Sequence, residues 1–79
     1  MPFDYSKLRG KIKEVYNTQA DFATALGMSR GSLSQRLNNI LDFTQTEMEQ
    51  AARLLNFEKE DIPSYFFATK VQKHELNAS

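Results

Sequence analysis

The chain of 79 residues carries ten Lys and Arg against ten Asp and Glu, has no cysteine, and is 41% hydrophobic. This length supports one domain, and the absence of cysteine excludes disulfides and thiolate metal sites. No apolar run approaches the roughly 18 residues of a membrane span, and no signal-peptide pattern opens the chain, which together predict a cytoplasmic protein without membrane contact.

The charges are unevenly divided although the formal net charge is zero. Residues 1–40 carry six cations and three anions, a net of +3, whereas residues 41–79 carry four cations and seven anions, a net of −3. A zero net charge is unusual for a dedicated nucleic-acid binder, because affinity for DNA comes largely from cations. The division still suits a basic face in the first half and an acidic remainder.

Two helices are predicted in the first third of the chain. The first covers residues 4–16, and its apolar side chains recur at three- and four-residue spacing as Tyr5, Leu8, Ile12 and Val15 or Tyr16. Thr18 begins the second helix, and Gly27 ends it where a left-handed residue is needed. The inward face of this second helix consists of Phe22, Ala23 and Leu26.

A third and a fourth helix follow. Ser29 caps the third, which runs to about residue 38 and has only Leu33 and Leu37 as apolar side chains. Thr44 with Glu47 has the spacing of a full capping box at the start of the fourth. The fourth helix extends to about residue 55 and is predicted to bury Met48, Ala51 or Ala52, and Leu55.

The C-terminal part predicts a short fifth helix or turn around residues 58–67, with Pro63 in its first turn. The aromatic side chains Tyr65, Phe66 and Phe67 are interpreted as closing the core, with a homodimer contact as the alternative. Residues 67–71 alternate apolar and polar side chains, which is consistent with a short strand. We therefore expect an all-α domain over residues 1–67 and a tail over residues 68–79.

The most informative stretch is residues 19–38. A small residue, Ala23, allows two helices to cross closely, Gly27 follows it by four residues, and Leu33 follows the glycine by six. This spacing is the steric skeleton of a helix-turn-helix motif, and Leu37 adds a second inward leucine on its second helix. The same spacing also arises by chance in other helical proteins.

A helical wheel of the third helix turns its two leucines inward and uncharged hydrogen-bonding groups outward, with an arginine on each flank. Amide side chains pair bidentately with adenine, and guanidinium groups pair with guanine or phosphate. The alternative is an ordinary solvated face. The candidate residues for binding DNA or a partner are Thr18, Gln19, Ser29, Arg30, Ser32, Ser34, Gln35, Arg36 and Asn38.

Catalysis is not expected. The single histidine, His74, stands alone near the C-terminus, and the chain has neither a Gly-rich phosphate loop nor the spacing of metal ligands. We therefore predict no catalytic residue, no metal site, no cofactor and no small-molecule substrate.

Four segments carry a resemblance to a known group, and they are residues 3–12, 22–29, 33–39 and 61–67. They resemble small early regulators of temperate phages of Gram-positive bacteria, the Cro-like or modulator-of-repression group. The resemblance implies a five-helix, lambda-repressor-like helix-turn-helix domain in the cytoplasm of a bacterial host. Gln19 matches the first motif residue of the wider repressor family, whereas Arg36 stands where that family has a second aliphatic residue.

The resemblance also implies a function, namely work opposite a CI-type repressor in the choice between lysis and lysogeny. The main interpretation is Cro-like binding of double-stranded operator DNA through the helix-turn-helix. The alternative is an antirepressor that binds a CI-type repressor protein through the same helices and has little DNA affinity of its own. The zero net charge favours the alternative.

Overall fold

The structure, a computed structural model, describes residues 2–69. The helices in this range are α1 (Ser6–Tyr16), α2 (Gln19–Leu26), α3 (Arg30–Leu37), α4 (Gln45–Leu54) and α5 (Ile62–Phe66), with a 3-10 helix (Lys59–Asp61) directly before α5. The predicted all-α, five-helix fold is confirmed. None of these helices is long and apolar enough to cross a bilayer.

The core lies between all five helices, and the predicted inward faces of α1, α2 and α3 form much of it. At the end of α1 the core residue is Tyr16, whose ring centroid lies 5.4 Å from that of Phe22, and Val15 is exposed. Met48, predicted to be buried, is only half-buried at the edge of the core. The fully or nearly fully buried side chains include Leu8, Ile12, Phe22, Ala23, Leu33, Ala51, Leu55 and Phe66.

The chain ends of the described range pair with each other. Phe3 and Thr69 form an isolated antiparallel bridge, and the backbone N–H of Asp4 donates to the carbonyl of Ala68 at 2.7 Å. Within residues 2–69 this bridge takes the place of the short strand predicted over residues 67–71, whose last two residues lie outside the described range. The predicted boundary between domain and tail at residue 68 stays a prediction, and residues 70–79 of that tail are also outside the range.

The prediction that Phe67 helps to close the core is wrong, because its side chain is 48% exposed. It is the residue at which α5 ends, so its side chain leaves the face that turns Tyr65 and Phe66 inward. Its ring instead packs edge-on against Phe3, with 5.8 Å between the ring centroids.

The helix starts are stabilised as the sequence predicts. The hydroxyl oxygens of Thr18 and Ser29 each accept a hydrogen bond, at 3.1 Å, from the backbone N–H three residues on. At α4 the capping box is complete: Thr44 Oγ1 accepts from the N–H of Glu47 at 3.1 Å, and Glu47 Oε1 accepts from the N–H of Thr44 at 2.9 Å.

Replacing Thr44 by Ala should destabilise the domain by about 1 kcal/mol, because the first turn of α4 loses the acceptor for one of its backbone donors. For a domain of this size the melting temperature should fall by about 4–8 °C per kcal/mol, which thermal unfolding followed by circular dichroism measures. Thr44→Ser keeps the hydroxyl and should melt close to the parent. Equal losses in the two variants would contradict the capping role.

Candidate functional site

The turn between α2 and α3 is built on a glycine with positive φ. Gly27 has φ +78° and ψ +28°, and its N–H and that of Met28 bond back to the last turn of α2. Ala23 is 1% exposed, and α2 and α3 contact each other. Leu33 and Leu37, the two leucines of α3 expected to point inward, are 0% and 3% exposed.

Two adjoining surface depressions connect the start of α2 with α3. One is lined by Thr18, Gln19, Ala20 and Arg30, and the other by Gln19, Arg30, Gly31 and Ser34. Gln35 is exposed and lies four residues after Gly31, so it continues the same side of α3. We call the surface formed by Thr18, Gln19, Arg30, Gly31, Ser34 and Gln35 the α2–α3 face.

Three of the predicted binding residues have side chains available for a partner. Within residues 2–69, the side chains of Gln19, Arg30 and Gln35 form no hydrogen bond and no ion pair. Arg30 and Gln35 are exposed and Gln19 is half-buried. The two amides can donate and accept hydrogen bonds, and the guanidinium can donate them, to either a base edge or a protein surface.

Two other predicted residues serve the helices themselves. Thr18 and Ser29 are the N-caps of α2 and α3, and their hydroxyl oxygens already accept hydrogen bonds from the backbone. Both remain exposed, so each hydroxyl can still donate one hydrogen bond outward.

Arg36 is bound internally and joins α3 to α4. Its Nε donates to Glu47 Oε1 at 3.1 Å and its Nη2 to Oε2 at 3.4 Å, with both side chains less than one-fifth exposed. Its Nη1 donates to the carbonyl of Ser32 at 3.0 Å and also contacts the Ser32 hydroxyl. Arg36 and Ser32 are therefore held within the fold, and the positive charge of the guanidinium is balanced by Glu47.

The side chain of Asn38 bonds to Ser34 of α3 and to Arg9 of α1. Asn38 Nδ2 donates to Ser34 Oγ at 3.2 Å, and Asn38 Oδ1 accepts from Arg9 Nη2 at 3.2 Å. The same Arg9 group donates to the carbonyl of Leu37 at 3.1 Å, which joins α1 to α3. Asn38 thus has a tethering role that the helical wheel did not predict.

Most cations of the first half contact other groups of the fold, and Lys13 is exposed without an ion pair within residues 2–69. Lys11 pairs with Glu14 at 3.1 Å, and Lys7 lies 4.6 Å from the centre of the Tyr65 ring. Arg9 and Arg36 are engaged as described above. Arg30 is the one cation of the α2–α3 face, and it forms no ion pair within residues 2–69. The charge asymmetry seen in the sequence therefore overstates the positive potential of this face.

An apolar groove lies elsewhere on the molecule, and the sequence interpretation missed it. It is lined mainly by aromatic side chains whose rings meet in series, with Tyr5 to Phe43 at 5.5 Å and Phe43 to Phe66 at 5.0 Å. Burial, with a further contribution from the Asp42 carboxylate, raises the pKa of the Tyr5 phenol above its ordinary value. The complete lining is Phe3, Tyr5, Asp42, Phe43, Met48, Phe66 and Phe67.

Two exposed aliphatic residues adjoin the end of α3. Ile40 is 67% exposed and Leu41 is 44% exposed. The backbone N–H groups of both donate to the carbonyl of Gln35, at 2.8 and 3.2 Å, so this loop is anchored beside the α2–α3 face. The sequence signal was present as two consecutive aliphatic residues in a predicted loop.

Residues 1–69 match the family described as "Protein of unknown function (DUF739)". The chain belongs to this family. Its structure is similar to the solution structure of the modulator of repression (MOR) of the temperate bacteriophage TP901-1 from Lactococcus lactis, with a TM-score of 0.76 and 42% sequence identity. The similarity covers 91% of this chain and 97% of that one, which confirms the resemblance noted in the sequence. Among curated proteins, none matches.

Proposed function

We propose that this protein is a phage regulator that acts by binding a CI-type repressor protein, as a modulator of repression. The observation that carries the proposal is the 42% identity, over nearly the full length of both chains, to a protein named for modulating repression. The similarity covers 97% of the chain of that relative.

The electrostatics of the α2–α3 face favour a protein partner over DNA. Proteins that bind duplex DNA through about 6–10 phosphate contacts rely on as many cations, since released counterions supply most of the affinity. The α2–α3 face carries one cation, Arg30, and the other guanidinium of α3, that of Arg36, is neutralised by Glu47. A face with one free positive charge and several amides and hydroxyls suits the polar part of a protein interface.

The exposed aliphatic pair supports the same conclusion. Ile40 and Leu41 would contact water or phosphates if α3 entered a DNA groove, which gives them no favourable burial. Against a protein surface they can be buried beside Gln35, and each fully buried aliphatic side chain contributes about 1.5–3 kcal/mol. We therefore assign the repressor contact to the α2–α3 face together with this loop.

Cro-like operator binding remains a second candidate, and one observation favours it. Gln19 at the start of α2 lies beside Arg30 at the start of α3, the end of a recognition helix that contacts base edges in this motif. In this candidate function Gln35 contacts a base edge and Gln19 contacts a phosphate. The protein would then bind DNA with far fewer cations than most operator binders use.

Titration of the purified repressor with this protein in a calorimeter tests the proposal. We expect saturable binding in the micromolar range or tighter, together with weak binding to duplex DNA. Absence of heat with the repressor, combined with tight and strongly salt-dependent binding to operator DNA alone, would overturn the proposal in favour of the Cro-like function.

The surface assignment is tested with a variant of the apolar groove. Phe67→Ala removes an exposed ring at the rim of the groove and leaves the α2–α3 face unaltered. We expect this variant to bind the repressor as the parent does. If it alone loses binding, the repressor contacts the groove, and the assignment to the α2–α3 face is wrong.

A further inference from the structure

The carboxylate of Glu47 accepts hydrogen bonds both from the backbone at the start of α4 and from the side chain of Arg36. Its Oε1 accepts from the backbone N–H of Thr44 at 2.9 Å, which completes the capping box of α4. The same oxygen accepts from Arg36 Nε at 3.1 Å, and Oε2 accepts from Arg36 Nη2 at 3.4 Å. The capping task needs only an acceptor oxygen, and glutamine at this place in the box serves equally well. The negative charge serves Arg36 and, in the first turn of α4, the helix dipole, which is a small effect at a helix end.

The structure points to Glu47 as a specificity-determining residue that discriminates against duplex DNA by neutralising Arg36. This inference rests on the proposed function, in which the α2–α3 face contacts a protein. Arg36 directly follows Gln35, and it is the second guanidinium of α3. With Glu47 present, α3 offers a single unbalanced positive charge at Arg30.

Arg36 would stay beside the face without Glu47. Its Nη1 is also held by the carbonyl of Ser32, an interaction within α3 that does not involve α4. Loss of the carboxylate charge therefore leaves a guanidinium in nearly the same place, now uncompensated. At physiological ionic strength a charge is felt over about 8 Å, so phosphates near the exposed side of α3 would be attracted to it.

Glu47→Gln is the direct test, because it removes the charge and keeps the acceptor for Thr44. Binding of a short labelled DNA duplex is followed by fluorescence anisotropy between about 50 and 200 mM salt. We expect tighter DNA binding by E47Q than by the parent. The slope of log K against log salt should steepen, by up to about 0.9, which is the value for one full added phosphate contact. An unchanged slope would overturn the inference.

The double variant R36Q/E47Q separates the freed cation from the mere loss of an anion. It removes one charge of each sign and keeps the acceptor for Thr44, so we expect the DNA affinity and the slope of the parent. A slope shallower by about 0.9 would show that Arg36 already contacts DNA in the parent, and would overturn the inference. The inference would also be overturned if the double variant bound DNA as tightly as E47Q, because the gain in DNA affinity would then not depend on Arg36. Circular dichroism of E47Q and of the double variant checks that both fold before their DNA slopes are compared.

The outcome is independent of the repressor experiment. If the parent fails to bind the repressor, the proposed function fails, whereas the DNA slopes of the three proteins still decide whether Glu47 neutralises Arg36. If the parent binds the repressor and the slopes do not differ, only the role of Glu47 is wrong.

Discussion

Leu33→Ala is expected to lower the free energy of unfolding by about 2–5 kcal/mol. Leu33 is 0% exposed and lies in the core cluster beneath α3, so truncation leaves a cavity that its neighbours fill only partly. The total stability of a domain of this size is roughly 4–12 kcal/mol, so the loss is a large fraction of it. Urea unfolding followed by circular dichroism measures the change.

Leu33→Met provides the matched control for this prediction. It keeps the volume and the apolar character of the side chain, and its cost should stay below about 1.5 kcal/mol. If Leu33→Ala unfolds at the same urea concentration as the parent, Leu33 does not hold α3 against the core, and the assignment of the motif is wrong.

The second large effect is expected on binding. The double variant R30A/Q35A should weaken binding to the repressor by about 30-fold or more, the size expected when central interface residues are truncated. Both side chains are exposed and form no hydrogen bond or ion pair within residues 2–69, so stability should change by less than about 0.5 kcal/mol. Calorimetric titration and thermal melting measure the two quantities separately.

Arg53→Ala is the matched control, since it removes an exposed arginine from α4, outside the α2–α3 face. We expect it to bind the repressor as the parent does. Equal weakening by both variants would indicate general electrostatic attraction rather than contact at α3. A large loss of stability in R30A/Q35A would instead show that these side chains are misplaced in the fold.

The elements predicted well are those specified by neighbouring residues. The capping residues Thr18, Ser29 and Thr44 mark the helix starts within one residue of the observed bounds, because each bonds to the backbone only three positions away. The left-handed conformation of Gly27 is likewise a local requirement. Local signals of this kind placed α2, α3 and α4, whereas α1 and α5 have no side-chain cap and their predicted starts lie before the observed ones.

The features that were missed depend on contacts between distant parts of the chain. The spacing of Thr44 and Glu47 predicts the capping box, but nothing in it shows that Arg36, eleven residues earlier, shares the same carboxylate. The exposure of Phe67 was missed for a similar reason, because the packing of its ring depends on Phe3.

For the candidate site, the helical wheel identified the outward side of α3 and could not rank its members. Gln19, Arg30 and Gln35 remain available, whereas Ser32 and Arg36 bond within the fold and Asn38 bonds to Arg9. A wheel gives the direction of a side chain, and only the surrounding helices decide whether its polar atoms are already used. Those helices are brought together by tertiary packing, which periodicity alone does not specify.

Fluorescence anisotropy of labelled operator DNA, taken from between the divergent early promoters, tests the central claim most directly. The protein is titrated onto the DNA alone and onto the DNA with the CI-type repressor bound. We predict little change with DNA alone and a clear change in anisotropy when the repressor is present, because the protein acts on the repressor. Tight, steeply salt-dependent binding to DNA alone, with the repressor making no difference, would contradict the account.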